Sequence, residues 1–107
     1  MSGDPLAAAI AALWREVAPE QLAAAHELEA AATRVVAQPA DAAAWERVRA
    51  LAHRLAGTLG SFGQVEAGQL AERLEARVAG TTEPDAALRE EAAQLARELR
   101  TALEAAA

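Results

Sequence analysis

The sequence predicts an all-α protein, an up-down antiparallel four-helix bundle with a short additional N-terminal helix. Hydrophobic residues make up 53% of the 107 residues but aromatic residues only 3%, and long stretches consist of Ala, Leu, Glu and Arg, which are strong helix formers. Apolar residues recur at three-to-four spacing in five segments. At this length we expect a single domain covering residues 1–107.

The first two predicted helices are separated by a proline. Asp4 and Pro5 are typical of an N-cap followed by a first-turn proline. The apolar stripe of a short first helix then consists of Leu6, Ile10, Leu13 and Val17. The second, longer helix runs from beyond Pro19 to near Pro39. Its stripe consists of Leu22, Ala25, Leu28, Ala32 and Val35. We expect the first helix to lie over the bundle as a separate lid.

Three further helices follow, joined by short links. Asp41 can cap the third, whose stripe consists of Trp45, Val48, Ala52, Leu55 and Leu59. The run 60–63, with two glycines, predicts a tight turn. The fourth helix ends at Gly80 and carries Ala67, Leu70, Leu74 and Val78. After a capping segment at 82–85, the last carries Leu88, Ala92, Leu95, Leu99 and Leu103. Short links make neighbouring helices antiparallel.

Composition argues against several classes of function. The net charge is -6 and the ten positive charges, all arginine, are scattered, which argues against a nucleic-acid partner. There is no cysteine for a disulfide or a thiolate site, and no apolar run long enough to span a bilayer, so a cytoplasmic location is the expectation. The acidic residues form no cluster that predicts a metal site. No Lys-Ser/Thr pair follows the glycines of run 60–63, so we expect no ATP site.

His53 falls well off the buried stripe of its helix at about 100° per residue, so its ring should reach solvent. Most of its neighbours on the same face are small. These neighbours are Arg49, Ala50, Ala56 and Gly57, with Gly60 about one turn further along. Such a low surface allows another protein to approach the imidazole closely. His26 has no comparable face, and a structural role is expected for it.

Two glutamates are predicted to lie opposite His53. With the turn centred near residues 61 and 62, an antiparallel hairpin places His53 opposite residues 72–75, where Glu72 and Glu75 share a helix face. Either carboxylate could accept the Nδ1 proton and leave Nε2 as the outward nucleophile. The alternative is a solvated acidic edge that pairs with Arg73, Arg77 or the arginines of the third predicted helix.

The run from His53 to Gly57 (His-Arg-Leu-Ala-Gly), with Gly63 ten residues after the histidine and Glu75 beyond, resembles the H-x-L-K-G signature of histidine phosphotransfer (HPt) domains. The resemblance is specific over residues 53–75 and weaker over the rest of the chain. It implies that His53 takes a phosphoryl group from a receiver-domain aspartate or a kinase and passes it to another receiver in two-component signalling. The implied partners are response-regulator receiver domains, a hybrid sensor histidine kinase, or both. The resemblance implies no cofactor on this chain, with Mg²⁺ held by the receiver.

Carried over to this sequence, the resemblance makes His53 the phosphorylation site, Gly57 the small residue that admits the partner, and Glu75 the hydrogen-bond partner of the imidazole. Glu72 is a second candidate for that partner. Ala56 stands where the family usually has a phosphoryl-neutralising lysine. Helical geometry makes Arg49 the best replacement, and Arg54 is long enough to swing nearer. The implied docking face comprises Ala50, Arg54, Ala56, Gly57 and Gly60.

Two alternatives follow from the same residues. An HPt-shaped interaction module without phosphotransfer is favoured by Ala56, which leaves the phosphoryl group without its usual cation. A hydrolase or other stand-alone enzyme lacks a constellation of base, nucleophile and oxyanion donors. The chain is therefore expected to be a phosphotransfer intermediate rather than an independent enzyme. A monomer is expected because the bundle closes on itself, although an Ala-rich face could support dimerisation.

Overall fold

The computed structural model describes residues 4–106 and contains four α-helices. They are α1 (Pro5–Ala37), α2 (Ala42–Leu59), α3 (Val65–Val78) and α4 (Ala86–Ala106), with a 3-10 turn at Gly60–Phe62 between α2 and α3. Each helix packs against its neighbours in sequence and α4 closes the ring against α1, which is the predicted antiparallel four-helix bundle. Within residues 4–106, no helix is both long and apolar enough to cross a membrane.

The core is built mainly from leucine and alanine on the inward face of each helix. Alanine faces let the helices approach closely, and a few large side chains fill the remaining space. The largest fully buried side chains are Trp45, Leu28, Leu55, Leu59, Leu74, Leu99, Leu103, Val35, Val48 and Val78. Most of the sequence-predicted stripes of the second to fifth helices are therefore buried as expected.

The prediction of a separate N-terminal helix is wrong, because α1 is one continuous helix of 33 residues that runs through Pro19. Proline inside a helix removes one hydrogen bond and costs about 3 kcal/mol. Here the ring of Pro19 is exposed, while Trp14, Ala18 and Gln21 on either side of it are buried against the bundle. Packing of these flanking turns keeps the helix continuous. The N-terminal segment therefore extends the bundle and forms no lid.

The predicted caps and turns lie where the sequence places them. The carboxylates of Asp4, Asp41 and Asp85 accept hydrogen bonds from the backbone N–H groups near the starts of α1, α2 and α4, at 3.0, 3.0 and 2.8 Å. Gly63 and Gly80 have φ of 75° and 76° and end the 3-10 turn and α3. These local signals fix the lengths of α2 and α3, and therefore the register of the hairpin that they form.

The link between α3 and α4 is tied to α2 by an indole. Trp45 is 2% exposed, and its Nε1 donates a hydrogen bond of 2.6 Å to the carbonyl oxygen of Thr81. Trp14 makes a weaker counterpart, since its Nε1 lies 3.3 Å from the carbonyl oxygen of Ala106 near the end of α4. The Trp45 bond therefore stabilises the loop next to the end of α3.

We expect Trp45→Phe to lower the free energy of unfolding by about 1–3 kcal/mol, because it removes a buried hydrogen bond and leaves a cavity. Urea unfolding followed by circular dichroism measures the change. Trp14→Phe serves as the control and should cost less, because its bond is longer and lies at a helix end. Equal losses in the two variants would contradict the structural role given to the Trp45 bond.

Candidate functional site

His53 lies on α2 with its side chain 81% exposed, and its Nδ1 is hydrogen-bonded to the carboxylate of Glu75 on α3. The two residues are 22 positions apart and meet because α2, the 3-10 turn and α3 form an antiparallel hairpin. Glu75 is 33% exposed, so its carboxylate lies at the edge of the helix interface. When Nδ1–H donates its hydrogen bond to that carboxylate, the lone pair of Nε2 is the one directed to solvent.

A small cleft of about 180 Å³ adjoins the imidazole. It is lined by Arg49, His53, Glu75, Val78, Ala79 and Gly80. Side chains on a helix lean toward its N-terminus, so the His53 ring lies over the turn that contains Arg49 rather than the turn that contains Gly57. The positive φ of Gly80 turns the chain away at the end of α3 and bounds the cleft.

Arg49 is partly enclosed in this cleft, with a side chain that is 27% exposed. Its Nη1 pairs with the carboxylate of Glu46, one turn earlier on α2. Its Nε is buried and has no hydrogen-bond partner among the residues that the structure describes. The guanidinium next to His53 is therefore only partly satisfied by the residues that the structure describes.

The predicted docking face is low and open. Ala50, Gly57 and Gly60 are exposed, and a Cβ atom added at Gly57 or Gly60 would meet no atom within 4 Å. The packing of the chain itself therefore does not require glycine at either position. At Gly68 on α3, an added Cβ would make an ordinary van der Waals contact, 3.5 Å from the Gly60 backbone nitrogen.

The other predicted site residues lie around the cleft rather than in it. Arg54 pairs with Glu20 of α1 at 3.3 Å, on the side of α2 away from Glu75. Ala56 is half-buried against the core. Glu72 is exposed about one turn before Glu75 and is not one of the residues lining the cleft. Of the two predicted carboxylates, Glu75 is the one brought to the imidazole.

The sequence reasoning missed three contributors to the cleft, namely Val78, Ala79 and Gly80, and the pairing of Glu46 with Arg49. For Gly80, the sequence predicts only a helix end. The hairpin register contained the missing signal, because a helix that places Glu75 opposite His53 brings its last turn level with Arg49. The spacing of Glu46 and Arg49 is likewise typical of a helical ion pair.

The site is thus an exposed histidine, hydrogen-bonded to a carboxylate, on a face of small residues of an antiparallel four-helix bundle. The family model of the Hpt domain matches residues 9–107, nearly the whole chain. The chain belongs to the Hpt domain family, whose members carry out histidine phosphotransfer in phosphorelays. Neither a search of curated proteins nor a search of solved structures gives a match.

Proposed function

We propose that His53 is a phosphorelay intermediate, which accepts a phosphoryl group from a receiver aspartate or a kinase and donates it to another receiver domain. The observation that carries this proposal is the hydrogen bond from Nδ1 of an exposed His53 to Glu75. Membership of the Hpt domain family supports it. The proposal is specific to Nε2, because Nδ1 is occupied by the carboxylate.

The proposed chemistry is an in-line displacement at phosphorus. The Nε2 lone pair attacks the acyl phosphate of the receiver, the N–P bond forms, and the bond from phosphorus to the aspartate oxygen breaks with its electron pair on that oxygen. The Nδ1 proton stays on the ring, where the Glu75 carboxylate stabilises the cationic phosphoimidazole. The second transfer runs the same displacement in the opposite sense toward another aspartate. Phosphoryl transfer of this kind depends mainly on positioning and charge stabilisation.

We assign stabilisation of the phosphoryl oxygens to Arg49, which replaces the lysine missing at Ala56. Arg49→Ala is expected to slow phosphoryl uptake by about tenfold or more, because a charge-assisted hydrogen bond in the transition state is lost. The double variant Arg49→Ala with Ala56→Lys should recover most of the rate, since Ala56 lies at the edge of the core where a lysine stem can extend to solvent. Rates of uptake from a phosphorylated receiver measure both effects. A failure of the lysine to rescue would mean that the cation comes from elsewhere.

Gly57 is proposed to keep the docking face low for the partner. Gly57→Ala should raise the free energy of unfolding by about 0.5–1 kcal/mol, because glycine is a poor helix former and the added Cβ has open space. Gly57→Gln should also fold, yet it should slow transfer from a receiver while leaving phosphorylation by a small donor such as phosphoramidate unchanged. Equal effects on the protein donor and the small donor would contradict a docking role.

The proposed function is tested by incubating the chain with a phosphorylated receiver or a kinase and examining the stability of the transferred label. Phosphohistidine is labile in acid and stable in alkali, whereas an acyl phosphate is labile in alkali. We expect an acid-labile, alkali-stable label on this chain. Stable binding of receivers without any such label would support the second candidate, an interaction module without phosphotransfer, which Ala56 in the lysine position favours.

A further inference from the structure

Glu46 holds the arginine beside His53 but lies outside the cleft. Its carboxylate accepts the hydrogen bond from Nη1 of Arg49, and Glu46 is not one of the residues that line the cleft. The Glu46 side chain is 60% exposed, whereas that of Arg49 is 27% exposed. The carboxylate is therefore free to move into solvent, while the guanidinium stays partly enclosed beside the imidazole.

Glu46, Arg49 and His53 lie along one face of α2. They are spaced three and four residues apart, which places them on successive turns. Glu46 and His53 are therefore about 10 Å apart along the helix axis, with Arg49 between them in the sequence. Side chains on a helix lean toward its N-terminus. The bond to Glu46 therefore draws the guanidinium toward the start of α2, in the direction away from His53.

The ion pair of Glu46 and Arg49 contributes little to the fold. Both residues belong to α2, and exposed pairs at this spacing add little to the stability of a helix. The pair of Arg47 with Glu27 differs, because it joins α2 to α1. Removal of the Glu46 carboxylate should therefore leave the bundle folded.

Negative charge already exceeds positive charge around the cleft. Two carboxylates, those of Glu46 and Glu75, are bonded to residues that line it, and the one guanidinium in its lining is that of Arg49. A phosphoryl group on Nε2 of His53 adds further negative charge. Because the Glu75 carboxylate is bonded to Nδ1, the carboxylate that shares Arg49 with the phosphoryl oxygens is that of Glu46.

We propose that Glu46 is a positioning residue, which competes with the phosphoryl group on His53 for the guanidinium of Arg49. In the unphosphorylated chain Glu46 holds the guanidinium, and in the phosphorylated chain the phosphoryl oxygens displace the carboxylate into solvent. This competition destabilises the phosphohistidine relative to the acyl phosphate of a receiver, and so it favours onward donation. The inference rests on the proposed function and on the role assigned there to Arg49.

The position of the transfer equilibrium tests this competition. The chain and a phosphorylated receiver are mixed in equal amounts, and the acid-labile and alkali-labile labels are measured once their ratio is constant. We expect Glu46→Gln to raise the equilibrium constant for transfer to the chain by about two- to fivefold, the scale of an exposed ion pair. Circular dichroism checks that the variant folds.

Two comparisons separate competition for Arg49 from a general effect of charge. Glu27→Gln removes the same charge from the ion pair with Arg47, outside the cleft, and should leave the equilibrium constant unchanged. In an Arg49→Ala background, Glu46→Gln should also leave it unchanged. At physiological salt the Debye length is about 8 Å, so the bare charge of an exposed Glu46 two turns from His53 is largely screened.

Three results would overturn the competition while leaving the proposed function intact. They are an equilibrium constant that Glu46→Gln leaves unchanged or lowers, an equal rise in Glu27→Gln, and an equal effect of Glu46→Gln with and without Arg49. In each case the acid-labile label on the chain would still show phosphoryl transfer. Absence of that label from every variant would overturn the proposed function, and this inference with it.

Discussion

His53→Gln is expected to leave the chain folded and unable to take up a phosphoryl group. The side chain is 81% exposed, so the substitution should change the free energy of unfolding by less than about 0.5 kcal/mol. The glutamine amide can still donate a hydrogen bond toward Glu75, but its nitrogen has no nucleophilic lone pair. We therefore expect complete loss of the acid-labile label with unchanged binding of the receiver.

His26 supplies a matched control for this experiment. Its side chain is 52% exposed and its Nε2 lies 3.4 Å from the carboxylate of Glu104, so it is also an accessible imidazole beside a glutamate. It lies on α1, outside the His53 cleft. His26→Gln should therefore be labelled as fast as the unmodified chain. Label on His53→Gln, or its loss in His26→Gln, would contradict the assignment of the phosphorylated residue.

Glu75→Ala is expected to slow phosphoryl uptake by about tenfold or more. The carboxylate holds the ring with Nε2 outward and balances the positive charge that develops on the imidazole, and a positioned partner of this kind typically contributes at least that factor. Uptake rates from a phosphorylated receiver, measured at several receiver concentrations, separate a slower transfer step from weaker docking. An unchanged rate in Glu75→Ala would rule out the proposed role.

Two further variants separate the contributions of Glu75. Glu75→Gln keeps an oxygen that can accept a hydrogen bond from Nδ1–H but removes the charge, so its rate of uptake should lie between those of Glu75→Ala and the unmodified chain. Glu72→Ala removes a carboxylate about one turn away that does not line the cleft, and it should leave the rate unchanged. The contradicting result is that Glu72→Ala slows uptake as much as Glu75→Ala does. In that case the negative charge along this edge of α3, rather than orientation of the imidazole by Glu75, would explain both effects.

The parts of the fold predicted from the sequence rest on local rules. Asp41 and Gly80 mark helix ends through capping and positive φ, and these marks set the lengths of α2 and α3. The lengths in turn set the hairpin register, which was sufficient to place residues 72–75 opposite His53. To choose between Glu72 and Glu75, one must also know how α3 is rotated about its own axis. That rotation depends on how Leu74 and Val78 pack in the core.

The incorrect predictions depended on tertiary contacts. Pro19 is a helix breaker by local preference, but burial of Trp14 and Ala18 beside it keeps α1 continuous. Periodicity also predicted burial of Leu6 and Leu13, yet periodicity describes only one helix face and cannot show whether another helix reaches that far. The partial burial of Arg49 could not be predicted either, because the burial of its Nε depends on how the folded helices pack.

A chase experiment tests the relay role of His53 most directly. The chain is first labelled by a phosphorylated receiver or a kinase, then purified and mixed with a second, unphosphorylated receiver. We predict that the acid-labile label leaves His53 and appears on the receiver as an alkali-labile acyl phosphate, at a rate lowered in Glu75→Ala. Receivers that bind the chain without ever exchanging label with His53 would contradict the account.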